Sequence, residues 1–131
     1  MLLLAFSSGC QTGPKPELSP AIEPLKRTEF TARVENYMEY QPLKAGKASH
    51  FGIHLTDLTD GSPVANAEVT MTFLRAGGVQ EVMNTQARRG KTEGIYTAEI
   101  VPKEPGEYDI ELRIKNEKLQ ERLKMLGFRV E

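Results

Sequence analysis

The sequence predicts an all-β protein, an antiparallel sandwich of about seven strands. Three observations predict it. Apolar and polar residues alternate along several runs, as they do in strands with one buried face. Turn-forming residues separate these runs at fairly even intervals. The cleanest run carries apolar residues on one face and charged residues on the other, which suits an antiparallel sheet.

The expected strands follow in chain order. The first covers 28–40 and ends at Gln41-Pro42-Leu43-Lys44-Ala45-Gly46. The second, 48–58, points Phe51, Ile53 and Leu55 one way and His50, Gly52, His54 and Thr56 the other. Asp60-Gly61 then marks a hairpin turn, with Gly61 supplying the positive φ. The third strand, 66–75, buries Val69, Met71 and Phe73. Gly77-Gly78 is a second hairpin signal, followed by a strand over 79–86. Arg88-Arg89-Gly90-Lys91 reads as a short basic loop. The fifth strand, 94–101, buries Tyr96, Ala98 and Ile100. Pro105-Gly106 opens the sixth, 106–115. There Tyr108, Ile110, Leu112 and Ile114 face the core, and Asp109, Glu111, Arg113 and Lys115 face water. The last strand, 118–130, competes with a helix, because Leu119, Leu123, Leu126 and Val130 also fit a helical stripe capped by Asn116. The strand is preferred. It requires a shift of alternation near Leu126-Gly127, hence a β-bulge. The stretch from Lys115 to Lys124 mixes both signs and reads as a solvated edge, where lysine discourages unwanted pairing.

Composition narrows the function classes. The chain has 131 residues, 39% hydrophobic and 27% charged, enough for one ordinary domain. Seventeen basic residues meet eighteen acidic ones, for a net charge of -1. That balance argues against a nucleic-acid partner, which requires a basic footprint. A single cysteine allows no internal disulfide. No stretch approaches the roughly 20 apolar residues of a membrane-spanning helix.

That cysteine, Cys10, closes an apolar run, Met1-Leu2-Leu3-Leu4-Ala5-Phe6, through the small residues Ser7-Ser8-Gly9. The arrangement resembles the lipobox of bacterial lipoproteins, which implies acylation of Cys10 and a membrane anchor. The run is shorter than a signal peptide and lacks a preceding basic residue, so the expected start lies upstream of Met1. The alternative is an accidental apolar N-terminus with a free thiol. Residues 11–26 carry Pro14, Pro16, Pro20 and Pro24, a density that blocks helix and ladder alike. Residues 1–10 therefore read as a signal remnant, 11–26 as an extended linker and 27–131 as the folded domain. Gln11 is not the Asp that retains some lipoproteins at the inner membrane, so the outer membrane is the expected address.

A wider resemblance spans Tyr37 to about Ile114. The segment EYQPLKAGKASHFGIHLTDLTDGSPVANAEVTM is followed downstream by GIYTAEIVPKEPGEYDIEL. Together they resemble the N-terminal domain of periplasmic adaptor subunits of resistance-nodulation-division heavy-metal efflux pumps. They are also similar to the YtkA-like and FixH-like domains. The resemblance implies an immunoglobulin-like sandwich, a periplasmic location and a context of metal resistance. A full adaptor continues into a helical hairpin, a lipoyl-like domain and a membrane-proximal barrel, which the sequence does not supply. The chain is then a stand-alone homologue of the first domain or a piece of a longer protein.

The candidate chemistry is sparse. Catalysis needs a converging nucleophile, base and stabiliser, and no such constellation or motif stands in the sequence. The expectation is a non-enzyme. Copper or another transition metal would look to His50, His54, Met38 and Met83, with Met71 a core residue and Met125 a further thioether. Met38 and Met83 are expected to be the more exposed thioethers. On a regular strand His50 and His54 stand about 13 Å apart along one face. Two nitrogens on one metal lie within about 4 Å of each other, so the pair chelates together only if the strand breaks. Otherwise they are two solvated histidines. Tyr108, just after Gly106, fits a tyrosine corner whose hydroxyl bonds back to the chain. The leading expectation is an envelope binding or assembly module on a transport complex. Its rivals are a metal carrier of the YtkA-like kind and a structural lipoprotein domain without a ligand.

Overall fold

A computed structural model describes residues 23–131, and Cys10 with most of the proline-rich segment lies outside them. Ten strands and no helix make up the described chain. They are β1 (Leu25–Phe30), β2 (Val34–Tyr40), β3 (Ser49–Asp57), β4 (Ser62–Pro63), β5 (Glu68–Arg75), β6 (Glu81–Gln86), β7 (Arg88–Arg89), β8 (Ile95–Ile100), β9 (Gly106–Lys115) and β10 (Gln120–Val130). One sheet has six strands in the order β1-β2-β3-β8-β7, with β4 added beside β3. The other has four, β10-β9-β5-β6. All strand pairs are antiparallel. The predicted all-β sandwich is therefore borne out, with ten strands where about seven are expected.

The alternating residues meet between the two sheets. Phe51, Ile53 and Leu55 of one sheet face Val69, Met71, Phe73, Ile110 and Leu112 of the other within a single core. A chain of aromatic contacts crosses it. Tyr40 stacks on Phe51 at 5.4 Å, Phe51 meets Phe73 edge-on at 6.2 Å, and Phe73 meets Tyr108 at 5.8 Å. Each such pair adds roughly 0.5–1.5 kcal/mol beyond the area buried. Tyr96, also buried, donates its hydroxyl to the Val64 carbonyl at 2.7 Å and accepts from the Ala67 amide at 3.0 Å. It thus pins the crossing from β4 to β5.

The structure corrects several boundaries. The single strand expected over 28–40 is a hairpin. Its turn contains no Gly or Pro. Instead the Thr31 hydroxyl accepts from the amides of Arg33 and Val34, at 3.1 and 2.9 Å. β1 begins at Leu25, inside the segment read as linker. The basic loop at Arg88-Arg89 is a strand, β7, because the chain leaves the four-stranded sheet after Gln86 and joins β8. Residues 120–130 form a strand, not a helix. Asn116 caps no helix; its side-chain oxygen accepts from the amides of Lys118 and Leu119 and turns the chain between β9 and β10. The expected bulge is present: the β10–β9 register shifts between Met125 and Phe128, and Gly127 has φ 77°.

Asp109 overturns its expected place on a wet face. It is 2% exposed. Its two oxygens accept from the Gly127 amide at 3.1 Å and the Gly77 amide at 3.0 Å. One carboxylate thus joins the β10 bulge to the β5–β6 hairpin, with the Lys124 ammonium 3.9 Å away. Arg27 makes a second link to the bulge. Its guanidinium donates to the Leu126 carbonyl at 2.7 Å and lies 4.4 Å from the centre of the Phe128 ring. β1 itself contributes no side chain to the core.

Candidate functional site

Most of the candidate site residues fall in different places. Met38 is fully buried among core residues, which overturns its expected exposure. Its position on β2 explains why: Val34, Asn36, Met38 and Tyr40 form the inward row of that strand. Met71 and Met125 are buried as well. Met83 is partly buried, packed against the core from β6. Gly61 has φ 76° in the turn before β4, and Gly106 opens β9 with φ 144°. The Tyr108 hydroxyl donates to the Glu104 carbonyl at 2.7 Å, four residues back.

His50 and His54 lie on the outward face of β3, two positions either side of Gly52. β3 pairs continuously with β2 and β8 through this region, so the strand is not broken between them. His54 meets the Tyr37 ring edge-on at 5.5 Å. The Tyr37 hydroxyl donates to Glu39 Oε1 at 2.9 Å, and the carboxylate beside it raises the phenol above its ordinary pKa. His50 takes a different partner: its Nδ1 lies 3.4 Å from Glu99 Oε2 on β8. That pair brings two atoms able to ligate a metal close together. Among the described residues no group of three or more His, Cys, Asp and Glu side chains is placed to hold a metal ion.

A cleft of about 510 Å³ has Gly52 among its lining residues. Its lining also includes His50, Thr97, Glu99, Gln86 and Arg88. The fold explains the composition. Thr97 stands opposite Gly52 across the β3–β8 ladder and opposite Arg88 across the β8–β7 ladder. The change of sheet between β6 and β7 brings Gln86 and Arg88 to the same cleft. Thr97 and Glu99 are outward residues of β8, and Arg88 is exposed on β7.

Gly52 is the informative lining residue. Its φ is not positive, and a Cβ built on it meets nothing nearer than the Glu39 carbonyl at 4.0 Å. Six other described glycines have positive φ. At Gly90 a Cβ would stand 2.8 Å from the Ile95 carbonyl, and Gly78 lies in the β5–β6 turn. Nothing inside the protein requires a glycine at 52. Glycine in a strand interior costs roughly 0.5–1 kcal/mol relative to alanine, and it marks places where a ligand or another backbone approaches closely. Sequence reasoning placed Gly52 only as one outward residue. It missed Arg88, Thr97 and Glu99 because the ladders that join them are non-local.

No curated protein and no solved structure matches the chain. A family model described as YtkA-like matches residues 27–113, a range that spans the cleft and covers more than half of the chain. The chain therefore belongs to the YtkA-like family.

Proposed function

We propose that this YtkA-like chain is a binding module of the bacterial cell envelope, held at a membrane through acylated Cys10. It docks on an efflux-type transport complex in the periplasm through the outer face of its six-stranded sheet. It binds and does not catalyse. The observation that carries the reading is Gly52, a mid-strand glycine with no internal requirement, in the lining of the cleft. A partner backbone approaching the sheet supplies the missing requirement.

The test uses a strain lacking the protein, complemented with the native chain or Gly52→Val. The native chain restores metal tolerance and co-isolates with the transport complex. Gly52→Val folds but fails in both. Metal tolerance that is unchanged on deletion, with no envelope protein co-isolating, would sink the proposal.

The proximity of His50 and Glu99 favours a second reading, a metal carrier. Titration of the protein with Cu(I), Ag(I) or Zn(II), followed by NMR, separates the two. Shifts centred on His50 support a carrier; spectra that stay unchanged remove it.

A further inference from the structure

We propose that the Gly52 cleft receives an extended segment of a partner protein in which an acidic side chain stands two residues from a basic one. This deepens the docking reading above and rests on it. Charge placement carries the inference. Arg88 forms no ion pair among the described residues, although it lines the cleft. Beside it stand the Thr97 hydroxyl and the Gln86 amide. A guanidinium flanked by neutral hydrogen-bonding groups suits a carboxylate, which it grips through two parallel bonds. At the other end Glu99 offers a carboxylate next to His50. That end repels a second acid and attracts a base.

The spacing matches a peptide. Arg88 is paired with Thr97, so Glu99, two residues on, is its diagonal neighbour. Diagonal neighbours in an antiparallel pair stand about 7–8 Å apart. An extended chain projects residues i and i+2 to one side with a separation of about 6.8 Å. One acidic and one basic side chain from such a segment therefore reach Arg88 and Glu99 together. Gly52 lines the same cleft on β3, on the other side of Thr97 from Arg88, and its lack of a side chain leaves room there for the rest of the segment. A drug-like small molecule is a poorer occupant, because such sites are lined mainly by apolar groups. The lining here is mainly Thr, Gln, Arg, His and Glu, with Phe51 and Ala98 the apolar members.

The experiment titrates the isotope-labelled protein with three capped peptides. Their cores are Glu-Ser-Lys, Gln-Ser-Gln and Glu-Ser-Glu. NMR shifts at the amides of Gly52, Thr97 and Arg88 report occupancy. Glu-Ser-Lys binds tightest. Arg88→Ala weakens it about tenfold, the order of one exposed charge-assisted pair. Gly52→Val abolishes it while the circular dichroism spectrum stays native. Equal binding of the uncharged peptide overturns the inference, as do shifts centred elsewhere or no shifts at millimolar peptide. If the peptides fail while Gly52→Val still breaks docking in cells, the peptide chemistry is wrong and the docking face stands. If both fail, both proposals fall.

Discussion

Tyr108 and Asp109 are neighbours that face opposite sides of β9, and each acts through hydrogen bonds to backbone. Replacing Tyr108 with Phe removes only the bond to the Glu104 carbonyl. The expected loss is about 1 kcal/mol, since the exposed end of the turn lets water replace the hydroxyl. Urea unfolding of the variant measures it. Asp109→Ala is worse, because it orphans two amides at once, those of Gly77 and Gly127. A loss of about 3 kcal/mol is expected from two bonds to a charged acceptor. Asp57 brings pH into the account. Its Oδ1 accepts from the Thr59 amide at 2.9 Å, and Arg33 lies 3.6 Å from its other oxygen. The Thr59 bonds, then the Arg33 charge, hold its pKa below the ordinary carboxylate value, against some desolvation. Asp60 is lowered likewise by bonds from Ser62. A lowered folded-state pKa means that the stabilisation is complete above the unfolded value of about 3.9 and fades as pH falls below it. Asp57→Asn should therefore be less stable than the native chain at pH 7, with the gap narrowing toward pH 3. A gap that is constant with pH would refute the role of the charge.

At the scale of elements, alternation was a good guide and punctuation a poorer one. The sequence reading and the structure agree on β9 residue for residue, and on β3, β5 and β8 within two residues at either end. These strands alternate because one face is core. β1 and β2 read as one strand in the sequence because their turn is closed by a threonine hydroxyl, not by glycine or proline. β7 is invisible in the sequence because two residues show no period, and only the pairing with β8 makes them a strand. Asp109 deceived for a related reason: alternation assigns a face, but not what the turns fold over that face. β1 also yields a prediction. It is tied to the rest by the ladder to β2 and by Arg27 on the β10 bulge. Arg27→Ala should speed hydrogen exchange of the amides shared by β1 and β2 while leaving β9 and β5 protected. Uniform loss of protection would show that β1 is integral to the sandwich.

For the whole molecule, the proposed docking on the outer face of the six-stranded sheet sets stability against binding at Gly52. Gly52→Val should raise the thermal midpoint slightly, because valine suits an extended strand and nothing obstructs its Cβ. The same change should end docking. A variant that is both less stable and still docked would contradict this account of the cleft. The sheet was legible in the sequence and the cleft was not. Its members come from β3, β8 and β7, which local periodicity cannot assemble. The proposed membrane anchor rests on Cys10 and the apolar run before it, so Cys10→Ser is the direct check: the protein should move from the membrane fraction to the soluble one.

β1 has a mechanical consequence. Leu25 is paired with Tyr40 at the open end of the β1–β2 hairpin. A pull on the N-terminal side of Leu25 therefore loads the ladder one rung at a time, as a zip opens, and does not shear all rungs together. Because β1 buries no core side chain, it can peel away under tension without opening the space between the sheets. Stretched between its two ends, the protein should release first a short length of about 20 Å, that of six extended residues. Only at higher force should the sandwich give way. A molecule tethered through its N-terminus would then meet sudden tension with a strand that yields and re-forms, while the Gly52 cleft keeps its shape.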